Sequence, residues 1–219
     1  MMAQRQFFRG LFRRLGPSDR APFEAHLLRL DVDSRRNRFG GAVSETFLRE
    51  YAERAFTLDG VMFGYFVGGE LRATAELRIL TDDVEREAEA AFSVEPDWRR
   101  KGIASELFSR IIGAARNRGV SRILVICLPN NIGMQALTRK FDGEIVRLAP
   151  DTLGVVEAPR ATFVSRWREA ADEAISFATA VFDTQRAFAG LPPLAESLKL
   201  PAIVRAPDKS GAEKISATE

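Results

Sequence analysis

Residues 94–104 read VEPDWRRKGIA, and no other stretch restricts the folding of this chain so closely. An alternating segment ends at Val94, and Pro96 cannot continue a sheet ladder. From Gly102 an apolar stripe of helical period begins, through Ala104, Leu107, Phe108, Ile111, Ile112 and Ala115. The chain must therefore leave a strand, turn within a few residues and enter a helix. Three consecutive cations, Arg99, Arg100 and Lys101, fall on that turn. Cations at a helix start oppose the helix dipole by about 0.3 kcal/mol or more each, so a compensating anion is expected there.

The first turn of such a helix carries free backbone N–H groups, which with the dipole form an anion site whose usual occupant is a pyrophosphate. Gly102 and the small Ala104 let a ligand approach the backbone closely. A bare run of charge more often forms a solvated loop. The order strand, proline, cations, glycine, helix favours the anion site.

Composition narrows the rest. With 219 residues, 46% apolar and 28% charged, the chain reads as one globular core with an appendage. A net charge of +2 gives no global field for nucleic acid, so any basic site is local. The single cysteine, Cys127, lies in an apolar run and is expected as an inert core thiol. The lone His26 is expected on the surface or half-buried in a helix, and the scarcity of ligands argues against a metal site. No apolar run is long enough to span a membrane and no secretory signal is legible, so the cytoplasm is the expected compartment.

Along the chain, residues 5–15 read equally as a basic amphipathic helix or as a strand ending at Leu15. Ser18 or Asp19 is expected to cap a helix carrying Phe23, Leu27, Leu28 and Leu30. Ser44 is expected to cap a second, through Arg54, burying Phe47, Leu48 and Tyr51. Two strands flanking Gly68-Gly69-Glu70 read as a hairpin, followed by a strand over residues 85–94. Residues 122–128 read as a fully buried strand, 132–141 as a short helix, and 143–158 as a hairpin. Residues 161–190 are expected to form an amphipathic helix that packs on the domain or on a second subunit, with a homodimer in the latter case. The Pro-containing tail, 191–219, is expected to be disordered.

The residues Val94, Pro96, Arg99, Gly102 and Ala104 resemble the acetyl-CoA-binding signature of the GNAT superfamily of N-acyltransferases, whose core is Arg/Gln-x-x-Gly-x-Gly/Ala. RRLGPSD is similar to the turn after that family's first strand, and AEAAFSV to its fourth strand. NIGMQALTRKFDG is similar to its Asn-x-x-Ala-x-x-Leu-Tyr helix, with Asn131, Leu137 and Lys140 in register. HLLRLDVDSRRNRFGGAVS looks like the helix-loop of bacterial protein-acetyltransferase domains. The likeness spans about residues 11–160, and residues 1–160 are expected as the acetyl-CoA-binding domain.

The resemblance implies an α/β (α+β) GNAT fold, a mostly antiparallel twisted sheet flanked by helices, with an extra C-terminal helix. It implies acetyl transfer from acetyl-CoA to an amine, on a small molecule or a protein lysine. Phe92, Ser93 and Val94 would offer backbone groups to the pantetheine arm and acetyl carbonyl. Arg99, Arg100, Lys101, Gly102, Ile103 and Ala104 would hold the pyrophosphate, and Asn131 would contact the cofactor arm or serve as an ordinary N-cap. Glu85, Glu87 and Glu89 share one strand face by the period of two. Glu89, then Glu87, is expected as the base, directly or through water. The acidic row favours a cationic acceptor. Where many members carry a tyrosine acid, this chain has Thr138, a much weaker acid. A second reading is a catalytically weak acetyl-CoA sensor, docked to membrane or RNA by its basic N-terminus.

Overall fold

Gly68 (φ 57°) and Gly69 (φ 79°) both adopt the left-handed conformation that closes a two-residue hairpin without splaying its strands. They join β2 (Gly60–Val67) to β3 (Glu70–Ile79) in a computed structural model that describes residues 10–57, 60–80, 86–148 and 151–158. The other strands are β1 (Leu11–Arg14), β4 (Arg86–Val94), β5 (Val120–Cys127), β6 (Glu144–Leu148) and β7 (Asp151–Glu157). They form one sheet of order β1-β2-β3-β4-β5-β7-β6, in which β4 and β5 are parallel and all other neighbours antiparallel. This is the mixed, mostly antiparallel sheet that the sequence implies. The expected C-terminal helix and tail lie outside the described residues, as does Glu85.

The parallel pair requires a crossover, supplied by α4 (Ile103–Asn117). Leu107, Phe108 and Ile111 of α4 are fully buried against Val61, Phe63, Ala75, Ala88 and Ile123 of the sheet. Burial of side chains this size stabilises by about 1.5–3 kcal/mol each. The opposite face carries α1 (Arg20–Arg29), α2 (Val32–Phe39) and α3 (Glu45–Ala55), with Phe23, Leu27 and Leu48 at the centre of a second cluster. The last helix, α5 (Ile132–Lys140), packs near β6 and β7.

Several local expectations change. Residues 11–14 are a strand. Asp19 occupies the N-cap position of α1 as expected, but its carboxylate makes no capping bond to that helix: it accepts from Gly16 N–H at 2.9 Å and pairs with Arg13 at 2.6 Å. Ser44 does cap α3, accepting from Phe47 N–H at 3.1 Å, although Phe47 itself stays exposed. The run of residues 122–128 is not buried on both faces: Ile126 is 52% exposed.

Candidate active site

The ladder between β4 and β5 ends at the pair Glu89–Leu124, although β4 continues to Val94 and β5 to Cys127. On its other side β4 remains paired to β3 through Val94. The β5-facing main-chain groups of residues 90–94 therefore have no ladder partner, and two strands diverge from a shared origin. Phe92, Ser93 and Val94 line that opening.

Beyond Val94 the chain makes a short 3-10 turn, Pro96–Trp98, and then the bend. Arg100 (φ 58°) and Gly102 (φ 78°) are both left-handed, and Gly102 occupies the N-cap position of α4 with no side-chain cap. Only glycine adopts this geometry without strain, and the amides of Ile103 and Ala104 are left without intrahelical acceptors. Successive amides in such a bend form a concave anion receptor. Arg100 and Lys101 are exposed beside it, the Lys101 ammonium standing 4.6 Å from the Trp98 ring centroid. Arg99 points elsewhere. Its Nε donates to the Val94 carbonyl at 3.2 Å and its Nη2 to Ser34 Oγ, with Asp31 Oδ2 3.5 Å away. It clamps the N-terminus of α2 onto the exit of β4.

The face of β4 opposite α4 carries the carboxylates. Glu87 is ion-paired with Arg122 at 2.8 Å. Glu89 is half-buried and has no hydrogen bond or ion pair among the described residues. Its register partner on β3 is Arg78. Behind Arg78 lies a buried cluster. Glu76, 2% exposed, pairs with Arg38 at 2.5 Å and accepts from Tyr51 Oη–H at 2.7 Å. The Tyr51 oxygen in turn accepts from Arg38 at 2.7 Å and from Arg78. Burial alone would raise the Glu76 carboxyl, but the Arg38 charge and the hydrogen bonds overrule it and hold the group ionised below its ordinary range. Burial, then the Glu76 charge, pushes the Tyr51 phenol well above its ordinary value, and its proton is donated to Glu76.

His26 corrects an expectation: it is fully buried. Its Nδ1 lies 3.1 Å from Glu95 Oε1 and its Nε2 2.8 Å from Ser93 Oγ, which is 2.7 Å from Thr74 Oγ1. Burial pulls the imidazole below its usual value, and this outweighs the opposing pull of Glu95. A neutral ring therefore donates from Nδ1 to the carboxylate and accepts at Nε2 from Ser93. Burial tends to raise Glu95, yet hydrogen bonds from His26, Arg72 and Arg29 keep it below the usual glutamate range.

Thr138 is also fully buried, and its hydroxyl donates to the Met134 carbonyl at 3.1 Å. A Cβ added at Gly143 or Gly154 would lie 2.5 or 2.8 Å from its methyl group. The side chain is a wedge between α5 and the terminal hairpin, so its hydroxyl has no route to a leaving thiolate. Asn131 caps α5, accepting from Met134 N–H at 3.1 Å. The sequence pattern gave no sign of the polar networks around Glu76, Arg78 and Glu95, and it placed His26 and Tyr51 only as helix residues. The available signal was helical register: position 26 shares a face with Phe23 and Leu27.

The parallel strands β4 and β5 thus part beside a bend whose free amides suit an anion. The sequence profile of the acetyltransferase (GNAT) family matches residues 26–143, and the chain belongs to that family. Among solved structures, it is similar to the GNAT domain of S. lividans PAT (22% identity, TM-score 0.59, covering 68% of this chain and 90% of that one). It is also similar to the yncA protein of Salmonella typhimurium, solved with its cofactor acetyl-CoA (14%, 0.53, 70% and 96%). A third is the ribosomal-protein-S18-alanine N-acetyltransferase of Escherichia coli (18%, 0.51, 70% and 97%).

Proposed function

We propose that this protein transfers an acetyl group from acetyl-CoA to a primary amine, with Glu89 as the base. The observation that carries the reading is the early end of the β4–β5 ladder at Glu89, on the strand that leads through Val94 into the left-handed bend at Arg100 and Gly102. The bend and the first amides of α4 suit a pyrophosphate, with Arg100 and Lys101 adding charge, while residues 92–94 offer unladdered main-chain groups to an amide-bearing arm. The residues thus fit the cofactor.

An alkyl ammonium with a pKa near about 10.4 must lose a proton before it attacks a thioester carbonyl. Glu89 has no other partner among the described residues, and it takes that proton directly or through one water. A main-chain N–H in the opening stabilises the oxyanion, worth about 3 kcal/mol in comparable sites. The thiol, with a pKa near about 8.5, leaves without strong acid assistance. The burial of Thr138 is tolerable for that reason.

The same burial favours a second reading, a weakly catalytic acetyl-CoA sensor. Calorimetric titration with acetyl-CoA, followed by thiol release with an amine panel, separates the two. Binding with sustained release supports transfer, binding alone supports the sensor, and no binding at millimolar concentration removes both.

A further inference from the structure

Glu89 and Arg78 are register partners on adjacent antiparallel strands, so their side chains leave the same face with Cβ atoms about 5 Å apart. Such a pair would ordinarily close on itself. Here it does not: the Arg78 fork is drawn to the Tyr51 oxygen and stands 3.5 Å from Glu76 Oε2, while Glu89 has no partner among the described residues. Tyr51 is locked by its own bonds to Glu76 and Arg38, and Arg78 lies 5.0 Å from the Tyr51 ring centroid. The guanidinium is thus held by one edge. Its other donors have no partner among the described residues, and the side chain is 33% exposed.

Resting on the acetyltransferase reading, we infer that the acceptor is an amine with an anionic group on the neighbouring carbon, an α-amino-acid-like zwitterion. Arg78 is the residue that selects for the anion. An isolated ammonium drawn to Glu89 would sit beside a fixed guanidinium and be repelled. A carboxylate next to the amine turns that repulsion into a charge-assisted hydrogen bond to the free edge of the fork. Of the acidic row expected to favour a plain cation, Glu87 is ion-paired with Arg122, and Glu89 is the register partner of Arg78. Leu124, paired with Glu89, and the exposed Ile126 continue the same face as an apolar strip suited to the rest of such a molecule.

Calorimetry on the protein saturated with coenzyme A tests this, using leucine, leucinamide and an Nα-blocked lysine amide. Leucine is expected to bind at least about tenfold tighter than leucinamide. Arg78→Gln should reduce that preference to about twofold or less, and Arg78→Lys, which keeps the charge, should retain part of it and decides the matter if the glutamine variant does not fold. Equal binding of leucine and leucinamide, tighter binding of the lysine derivative, or a preference unchanged in both variants overturns the inference. Coenzyme A binding with no binding of any of the three amines also overturns it, leaving acetyl transfer standing. Failure to bind coenzyme A instead strikes the acetyltransferase reading itself.

Discussion

His26 Nε2 stands 2.8 Å from Ser93 Oγ, joining the buried side of α1 to the strand that opens toward the cofactor. Because Glu95 fixes the other ring nitrogen, the imidazole sets the side-chain position of Ser93 from 67 residues away in sequence. Replacing His26 by Phe leaves a carboxylate and a hydroxyl buried without this partner, and should cost about 2–4 kcal/mol in chemical denaturation. The pH dependence follows from a folded-state value below the ordinary 6.5. The unfolded chain then binds a proton that the folded chain refuses, so stability from His26 is full above about pH 6.5 and declines as pH falls below it. Glu95 and Glu76, both held below 4.5, add a second decline as pH falls through their folded values. Unfolding midpoints at pH 7.5 and 5.5 should differ in the parent protein and converge in His26→Phe.

Arg38→Met strands the Glu76 charge in the core. Removal of one partner from a buried pair costs about 3–5 kcal/mol. The double variant Arg38→Met, Glu76→Gln should cost clearly less than the sum of the two single changes, measured as a coupling energy in a double-mutant cycle. Additive effects would show that Tyr51 and Arg78 already satisfy Glu76.

Glu89→Gln should lower acetyl transfer by about a hundredfold without moving the melting temperature, since the carboxylate makes no structural contact among the described residues. Glu87→Gln weakens a half-exposed ion pair with Arg122, and its rate should stay within about twofold of the parent. A large loss in Glu87→Gln with none in Glu89→Gln would reverse the assignment.

Thr138→Val removes the hydrogen bond to Met134, and with it about 1 kcal/mol of stability. kcat should be unchanged, because that hydroxyl is sealed from the site. A tenfold fall in kcat, with a flattened alkaline limb of the pH profile, would restore Thr138 as a proton donor.

Periodicity made α4, the β2–β3 hairpin and β4 readable, and the proline-cation-glycine order located the bend. Helix α2 was not readable, since VDSRRNRF has almost no apolar face. It forms through the Asp31 cap on Ser34, Gly40 at its C-terminus, bonds from Arg35 back to the Leu28 and Leu30 carbonyls, and the long-range bond from Arg38 to Glu76. The alternation of Thr74 and Glu76 with Ala73, Ala75 and Leu77 reads as a wet strand face, yet α1 and α3 cover it. A polar residue can be buried only if its partners arrive from elsewhere, and a linear pattern does not show who arrives. An apolar run such as residues 122–128 hides the opposite case, a face on which Ile126 stays exposed.

The unladdered edge of β4 makes a chemical demand on whatever fills it. A purely hydrocarbon tether would leave the peptide groups of residues 90–94 dry and unanswered, whereas a chain punctuated by amides can act as a surrogate strand. On the proposed reading, selection for the carrier half of the substrate would rest on backbone spacing, and side-chain replacement along this edge should alter it less than insertion or deletion of one residue.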